Sequence, residues 1–351
     1  IADGTIKCWG SNYYGQLGNG TTTDSLVPST VSGITTAAVV DLGEAHSCTL
    51  LVGGKIRCWG ANTLGHLGNG TTTNSSTSVA VSTIATAAAV SVGANHACSL
   101  LAGGKIMCWG SNNYGQLGNG TTANSSTPVA VSGITNAVAV SAGLVHACAA
   151  LADGRVQCWG SGTSGSLGNG TTTHSSVPVT VSGLSTAVAV GSGSYFSCAL
   201  LAEGAIKCWG DGGTGQLGNG TYIGSSIPVT VLGINTAVAV STGGYFVCAQ
   251  LADHTLKCWG YNNFGQLGNG TVDYSVSPIT VSNISSAAAI SAGGLHACAT
   301  LADGTARCWG NNSNGQLGNG AQSNYYVAPT TTLGYQPLTW ASSNPSVASV
   351  N

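Results

Sequence analysis

The chain has 351 residues, of which 54 are glycine, 43% are hydrophobic and only 5% are charged, and its formal net charge at pH 7 is −2. This composition excludes a disordered chain, since disordered chains combine low hydrophobicity with high charge. It also excludes a strongly charged protein that is drawn to nucleic acid or to an acidic membrane. The sequence contains no apolar run long enough for a transmembrane helix.

A repeat with a period of 50 residues organises the chain. The motif Cys-Trp-Gly occurs seven times, and Leu-Gly-Asn-Gly follows it each time at the same distance, with no insertion or deletion. A fixed period of this length is typical of repeat architectures. The motifs begin at Cys8, Cys58, Cys108, Cys158, Cys208, Cys258 and Cys308.

Each unit predicts four short strands. In chain order, residues 1–10 form the second half of a hairpin, a turn-rich loop follows, and a proline-led segment lies at 28–31. The runs at 35–43 and 46–51 come next and lead through a turn to the second Cys-Trp-Gly. Runs of small and β-branched residues bounded by glycine are typical of strands.

The spacing of the cysteines indicates a hairpin. Ala-Asp-Gly between Leu151 and Arg155 predicts a three-residue loop with Gly154 in the left-handed conformation. Counting outward from this loop places Cys148 opposite Cys158 at a non-hydrogen-bonded position. Cα atoms at such a position are about 4.5 Å apart, which is within reach of a disulfide.

Cysteine usage indicates an oxidising compartment. Of the 13 cysteines, twelve form pairs ten residues apart, and Cys8 has no partner in this chain. We favour disulfides, while buried free thiols and zinc ligands are the alternatives, zinc being disfavoured because no CxxC spacing is present. The predicted disulfides are Cys48–Cys58, Cys98–Cys108, Cys148–Cys158, Cys198–Cys208, Cys248–Cys258 and Cys298–Cys308.

Four strands per unit and no helical period predict an all-β protein, a β-propeller of seven blades over residues 1–334 whose first repeat is truncated at its start. The first unit lacks two strands at its front, and no such strands follow the proline-led segment of the last unit. We therefore expect one blade to be shared between the N- and C-terminal segments. A linear stack of units, a β-solenoid, is the alternative architecture.

The segments 143–170 and 293–320 resemble the regulator of chromosome condensation repeat, in the pattern GxxHxCxLLxDGxxxCWGxNxxGQLGNG. The resemblance implies a seven-bladed propeller in which the histidine before the second strand, the Trp-Gly pair and the Gly-Gln-Leu-Gly segment are framework residues. It also implies a bacterial secreted type, because of the added cysteine pairs. The family's activities include nucleotide exchange on a small GTPase, light sensing and β-lactamase inhibition, and none is carried over to this chain. The framework residues map to His46, His96, His146 and His296, to Trp9 through Trp309, and to Gln16, Gln116, Gln216, Gln266 and Gln316; Phe196, Phe246, His66 and Ser166 depart from the pattern.

Residues 335–351 leave the repeat. The stretch PLTWASSNPSVASV resembles the opening strands of a bacterial immunoglobulin-like domain. The resemblance implies a linker followed by the beginning of a β-sandwich module.

No motif predicts catalysis, a cofactor or a metal site. Five of the ten acidic residues lie at the equivalent hairpin tip. This position indicates that they stabilise the turn and do not form a carboxylate pair for acid/base catalysis. All eight basic residues lie at two positions next to or on the third strand of each unit; we interpret them as a solvated strand edge rather than a girdle for an acidic partner. We therefore expect a protein that is not an enzyme and that binds no nucleic acid and inserts in no membrane.

Aromatic residues concentrate in the segments that differ most between units. These segments follow Cys-Trp-Gly or precede the second strand, and the hairpin places both on one face of the disc. Aromatic side chains on a weakly charged face indicate a recognition surface, although the same rings could fill gaps between loops. The predicted ligand face comprises Tyr13, Tyr14, Tyr114, Tyr195, Phe196, Tyr245, Phe246, Tyr261 and Phe264.

Asn-Gly-Thr occurs six times and fits the N-glycosylation sequon. The alternative is a structural role, because Asn-Gly is a turn signal. The six acceptors are Asn19, Asn69, Asn119, Asn169, Asn219 and Asn269.

These observations predict a secreted or cell-surface binding or adhesion module that recognises an extracellular protein or glycan through the variable loop face. The alternative is a structural subunit or spacer that self-associates into an extracellular filament.

Overall fold

The computed structural model describes residues 3–333, which form seven antiparallel sheets arranged in a ring. Six of the sheets have four strands and one has two. The two-stranded sheet consists of β1 (Lys7–Gly10) and β2 (Ser25–Thr30). The residues assigned to the start of an immunoglobulin-like domain lie outside the described part of the chain.

The six complete blades follow one another along the chain, and each contains four strands in sequence order. Blade 1 contains β3 (Ala37–Leu42), β4 (His46–Leu51), β5 (Ile56–Gly60) and β6 (Ser75–Ala80). Blade 2 contains β7 (Ala87–Val92), β8 (His96–Leu101), β9 (Ile106–Gly110) and β10 (Ser125–Ala130). Blade 3 contains β11 (Ala137–Ala142), β12 (His146–Leu151), β13 (Val156–Gly160) and β14 (Ser175–Thr180).

The remaining blades repeat this order. Blade 4 contains β15 (Ala187–Ser192), β16 (Phe196–Leu201), β17 (Ile206–Gly210) and β18 (Ser225–Thr230). Blade 5 contains β19 (Ala237–Thr242), β20 (Phe246–Leu251), β21 (Leu256–Gly260) and β22 (Ser275–Thr280). Blade 6 contains β23 (Ala287–Ala292), β24 (His296–Leu301), β25 (Ala306–Asn311) and β26 (Tyr325–Thr331).

The predicted hairpin register is confirmed. Cys148 pairs with Cys158, and Ala149 pairs with Gln157. Gly154 has a φ of +79°, the left-handed conformation expected at the loop. All six predicted disulfides are present, and their Cα atoms lie 4.0–4.1 Å apart. Each bridge closes a short loop and contributes about 3 kcal/mol in the chain-entropy model.

The predicted seven-bladed propeller is not supported by the described residues, which form six four-stranded blades and one two-stranded sheet. The seven Cys-Trp-Gly motifs count third strands, and the first of these, β1, pairs only with β2. The predicted shared blade is also absent from residues 3–333, because β26 pairs with β25 and so completes blade 6.

The tryptophans join the sheets into a closed ring. Trp159 Nε1 donates a hydrogen bond to the carbonyl oxygen of Gln116, in the preceding blade, at 2.9 Å. Trp9 makes the same bond to Gln316, 307 residues away, at 2.8 Å. This last bond connects the two-stranded sheet to blade 6, so the linear stack considered above is excluded.

The hydrophobic core lies between neighbouring sheets and not within any one of them. One core cluster combines Ile106 and Leu117 of blade 2 with Ala147 and Trp159 of blade 3. Gly118 packs so closely against this tryptophan that an added Cβ would lie 2.8 Å from the indole ring. A blade therefore buries its apolar surface only by contacting the next blade.

The indole hydrogen bond can be tested by Trp159→Phe. The substitution removes a fully buried donor, leaves the Gln116 carbonyl without its partner and opens a cavity. We expect the free energy of unfolding in urea to fall by about 2–4 kcal/mol. Tyr114→Phe, on the surface, should change it by less than about 0.5 kcal/mol. Equal effects of the two substitutions would contradict the role assigned to the indole.

Cys8 provides a second test. It is the free cysteine of the described residues, it is buried, and burial raises the pKa of its thiol to about 12. We expect Ellman's reagent to detect no thiol in the native protein and one thiol after unfolding without reductant. Thirteen reactive thiols after unfolding would contradict the assigned disulfides.

Candidate functional site

The candidate site lies on the face where each third strand ends. In blade 3, His146 at the start of β12 pairs with Gly160 at the end of β13. Ser161 N then donates to the carbonyl oxygen of Val145 at 2.9 Å. The segments before the second strands and after Cys-Trp-Gly therefore lie together, as predicted. We call this side the loop face, and the opposite side, which carries the turns between second and third strands, the tip face.

Several predicted aromatic residues are exposed on the loop face. Tyr13 is 75% exposed and packs edge-on against Tyr14, with ring centroids 4.8 Å apart. Tyr114 is 43% exposed and contacts His174 at 5.2 Å. Tyr195 is half-buried, and within residues 3–333 its ring forms no such contact with another aromatic ring.

Phe196 and Phe246 were assigned to the ligand face from the sequence, and the structure does not place them there. Both are fully buried and belong to the cores between blades. They occupy the position that histidine takes in other units, and each packs on a glycine, Gly193 or Gly243, where a Cβ would clash with the ring. The alternation of side chains along the second strand turns them inward, away from the preceding tyrosine.

Two of the remaining predicted aromatics, Tyr245 and Tyr261, line a pocket between blades 4, 5 and 6. The pocket has a volume of about 380 Å³ and is lined by Thr214, Tyr245, Tyr261 and Leu295. We call it the Tyr245–Tyr261 pocket. It is within the usual size range of small ligand sites, at the lower end.

Aromatic rings support one wall of this pocket. The Tyr261 ring lies 6.3 Å from Tyr245, 6.4 Å from Phe264 and 4.9 Å from Tyr274, between ring centroids. Asn263 Nδ2 donates to the Tyr261 hydroxyl at 3.1 Å. These contacts hold the ring in place before any ligand binds.

Three residues at or beside the pocket were not predicted from the sequence. Tyr274 lies in the variable segment before the proline-led strand, and Thr214 and Leu295 are not aromatic, so none entered the predicted ligand face. That segment differs between units, and this variability is the sequence feature that could have identified Tyr274. The packing of Tyr274 against Tyr261 depends on the path of the long loop between β21 and β22.

Three of the four framework histidines are buried in the ring, and the fourth, His296, is half-buried. His46, His96 and His146 are at most 1% exposed. Both ring nitrogens of His46 and of His96 have no hydrogen-bond partner, whereas His146 Nε2 lies 2.8 Å from the Ser197 hydroxyl. Burial lowers the pKa of His96 to about 3 and that of His146 to about 4, and for His96 the neighbouring His146 and His66 add to the effect.

The six sequon asparagines form turns. Asn69 Oδ1 accepts hydrogen bonds from the backbone N–H and the hydroxyl of Thr71, at 3.1 and 2.9 Å. The equivalent bonds form at the other five sequons. This geometry accounts for Asn-Gly-Thr as turn chemistry, and glycosylation stays a prediction.

The two faces differ in charge. All eight lysine and arginine residues lie on the third strands or in the turns before them, towards the tip face. Five acidic residues lie at the hairpin tips, where Asp153 pairs with Arg155 at 2.6 Å. The loop face carries Asp24, Glu44, Asp211 and Asp273 and no basic residue.

Across residues 3–333, no group of three histidine, cysteine or acidic side chains is arranged to hold a metal ion. In the same part of the chain, the helical element is a single 3₁₀ turn at Thr163–Gly165, and no helix is long and apolar enough to cross a membrane.

Comparison with known proteins identifies the repeat. The family described as RCC1-like domain matches residues 87–346, and the regulator of chromosome condensation (RCC1) repeat matches residues 3–50. Among the curated proteins, none matches the chain.

Solved structures share the fold at low sequence identity. Prp20p from Saccharomyces cerevisiae, studied for its binding to Gsp1p and histones, is 21% identical with a TM-score of 0.82, over 93% of this chain and 85% of that one. Human WBSCR16 is 20% identical with a TM-score of 0.83, over 93% of both chains. The ectodomain of the receptor kinase CR4 from Physcomitrella patens is 20% identical with a TM-score of 0.54, over 88% of this chain and 73% of that one.

The buried histidines predict acid sensitivity. A histidine whose pKa is about 3 in the folded protein stays neutral there, while in the unfolded chain it takes up a proton as the pH falls below its ordinary pKa of 6.5. Each such group therefore removes about 1.4 kcal/mol of stability per pH unit as the pH falls from 6.5 towards the folded pKa. We expect the free energy of unfolding to decrease steadily over this window.

His96→Phe tests this effect with a residue that the chain itself uses at positions 196 and 246. Between pH 7.5 and 5.0, urea denaturation should show a smaller loss of stability in this variant, by about 2 kcal/mol. His174→Gln, at an exposed position, should keep the pH dependence of the parent protein. An unchanged pH dependence in His96→Phe would refute the assignment.

Proposed function

The chain belongs to the RCC1-like domain family, and from this premise we propose that it is a non-enzymatic extracellular binding or adhesion module that recognises a protein or glycan through its loop face. The observation that carries the proposal is the concentration of partly exposed aromatic rings on this one face. Aromatic residues are enriched where proteins bind partners. Within residues 3–333, no group of three histidine, cysteine or acidic side chains is arranged to hold a metal ion.

The disulfides support the extracellular part of the proposal. Six cross-strand disulfides in one domain are typical of proteins that fold in an oxidising compartment. A related propeller in a receptor kinase ectodomain provides a precedent for this fold outside the cell. Prp20p, with its reported binding to Gsp1p and histones, provides a precedent for protein partners of this fold.

A structural role in a filament is the second candidate. Exposed apolar residues on the outer strands favour it, since Val27, Val177 and Ile227 are 42–49% exposed at equivalent positions. Contacts between discs could bury these residues. Sedimentation velocity separates the two candidates, because a binding module should remain monomeric at micromolar concentration and a filament subunit should assemble.

The binding proposal can be tested with labelled protein on intact cells of its native source. A loop-face variant replaces exposed or half-buried tyrosines by alanine: Tyr13→Ala, Tyr14→Ala, Tyr114→Ala, Tyr195→Ala and Tyr261→Ala. We expect binding to fall at least about tenfold, because hot-spot aromatics carry most of the binding energy of an interface. The secreted fraction should contain the protein with its disulfides closed.

A matched tip-face variant is the control: Val52→Ala, Ala102→Ser, Ala152→Ser, Ala202→Ser and Ala252→Ser. It should bind like the parent protein. The proposal fails if the two variants lose binding equally, if the parent protein does not bind, or if the protein is found only inside the cell with free thiols.

A further inference from the structure

The Tyr245–Tyr261 pocket is a preformed cavity. Tyr261 N donates to the carbonyl oxygen of Tyr245 at 3.0 Å, which fixes the two tyrosines relative to each other. Thr214, on the opposite wall, places its hydroxyl 2.7 Å from Gln216 Oε1 and 3.4 Å from the Tyr245 carbonyl oxygen. The loop of blade 4 is thereby tied to blade 5, so a ligand meets a site that is already organised.

The walls present aromatic and aliphatic surface. Tyr261 is the central ring, and Tyr245, Phe264 and Tyr274 surround it. Leu295 of blade 6 closes the remaining side. Such a surface packs well against the methylene groups of a long side chain, and the faces of the rings attract a cation.

Two acidic residues, Asp211 and Asp273, belong to the loops that carry the pocket. Asp211 Oδ2 accepts a hydrogen bond from Gln216 Nε2 at 2.8 Å, so this carboxylate is connected through Gln216 to the wall residue Thr214. Asp273 is exposed and directly precedes Tyr274, which contacts Tyr261. Since no lysine or arginine lies on the loop face, the potential around the pocket is negative.

The repeats provide an internal comparison. Tyr195 of blade 4 occupies the position of Tyr245, but Asp211 stands there in place of Tyr261. The position of Tyr245 is held by Ala45 in blade 1 and by Val145 in blade 3. The combination of two tyrosines with flanking carboxylates is therefore a specific property of the junction of blades 4, 5 and 6.

We propose that the Tyr245–Tyr261 pocket binds a lysine or arginine side chain from a basic segment of a protein partner. The aromatic rings contact the aliphatic stem and the cation, while Asp211 and Asp273 attract the positive charge. An acidic segment would be repelled by the same carboxylates. This inference rests on the proposed function and specifies the partner that the loop face would recognise.

The experiment measures the fluorescence anisotropy of labelled hexaarginine, with hexaglutamate and maltohexaose as an acidic and a neutral sugar probe. We expect the folded protein to bind hexaarginine and neither of the other two. The affinity should fall as sodium chloride rises from 50 to 500 mM, because exposed charges are screened.

Three kinds of variant test the pocket. Tyr261→Ala should weaken hexaarginine binding about tenfold, and Tyr261→Phe, which keeps the ring, should retain most of the affinity. Asp211→Asn combined with Asp273→Asn should weaken binding to a similar degree and reduce its salt dependence. Leu295→Lys should also weaken binding, because it places a competing cation in a partly exposed wall without emptying the core.

Val52→Ala and Asp153→Asn, both on the tip face, are the matched controls, and each should leave the affinity within about twofold. Circular dichroism should show that every variant is folded. Absence of hexaarginine binding, binding of maltohexaose in its place, or equal losses in pocket variants and controls would overturn the inference. The cell-binding experiment can still succeed in those cases, so a failure of this inference is distinguishable from a failure of the proposed function.

Discussion

The ring depends on one hydrogen bond that recurs between sheets. The indole N–H of each Cys-Trp-Gly tryptophan donates to a main-chain carbonyl of the preceding sheet, and all seven of these bonds are 2.8–3.0 Å long. The indole also fills the core between the sheets. A single side chain thus satisfies a buried polar group and supplies the apolar surface that joins two blades.

This arrangement explains why the variable residues can be recognition residues. The tryptophan contact and the disulfide of the same hairpin fix the end of each third strand. The loops that begin there are attached to a rigid base, so they can differ between units without loss of the fold. The aromatic pocket at blades 4, 5 and 6 is one product of that freedom.

The polarity of the disc follows from the same hairpin. Basic residues lie at the beginning of the third strand and aromatic residues follow its end, so positive charge and aromatic surface lie on opposite faces. Local acidic residues at the tips offset the basic ones there, as Asp153 does for Arg155. The loop face has acidic residues without basic neighbours, which gives it a charge character that the small net charge of the chain conceals.

The sequence by itself determined the local structure. The ten-residue spacing of Cys148 and Cys158 predicted their pairing, because an antiparallel hairpin with a known turn has only one register. The same reasoning placed Tyr245 and Tyr261 on one face, since they adjoin paired strand ends.

Only the tertiary structure decided which aromatic rings are available. Phe246 follows Tyr245 directly, yet the alternation of the strand buries it in the core. Tyr274 packs against Tyr261 from a long loop, and Thr214 lines the pocket from the neighbouring blade; the local repeat encodes neither contact. The number of complete blades was also decided at this level, because the Cys-Trp-Gly motif marks a third strand, and within residues 3–333 the first of these strands, β1, pairs with β2 in a sheet of two strands.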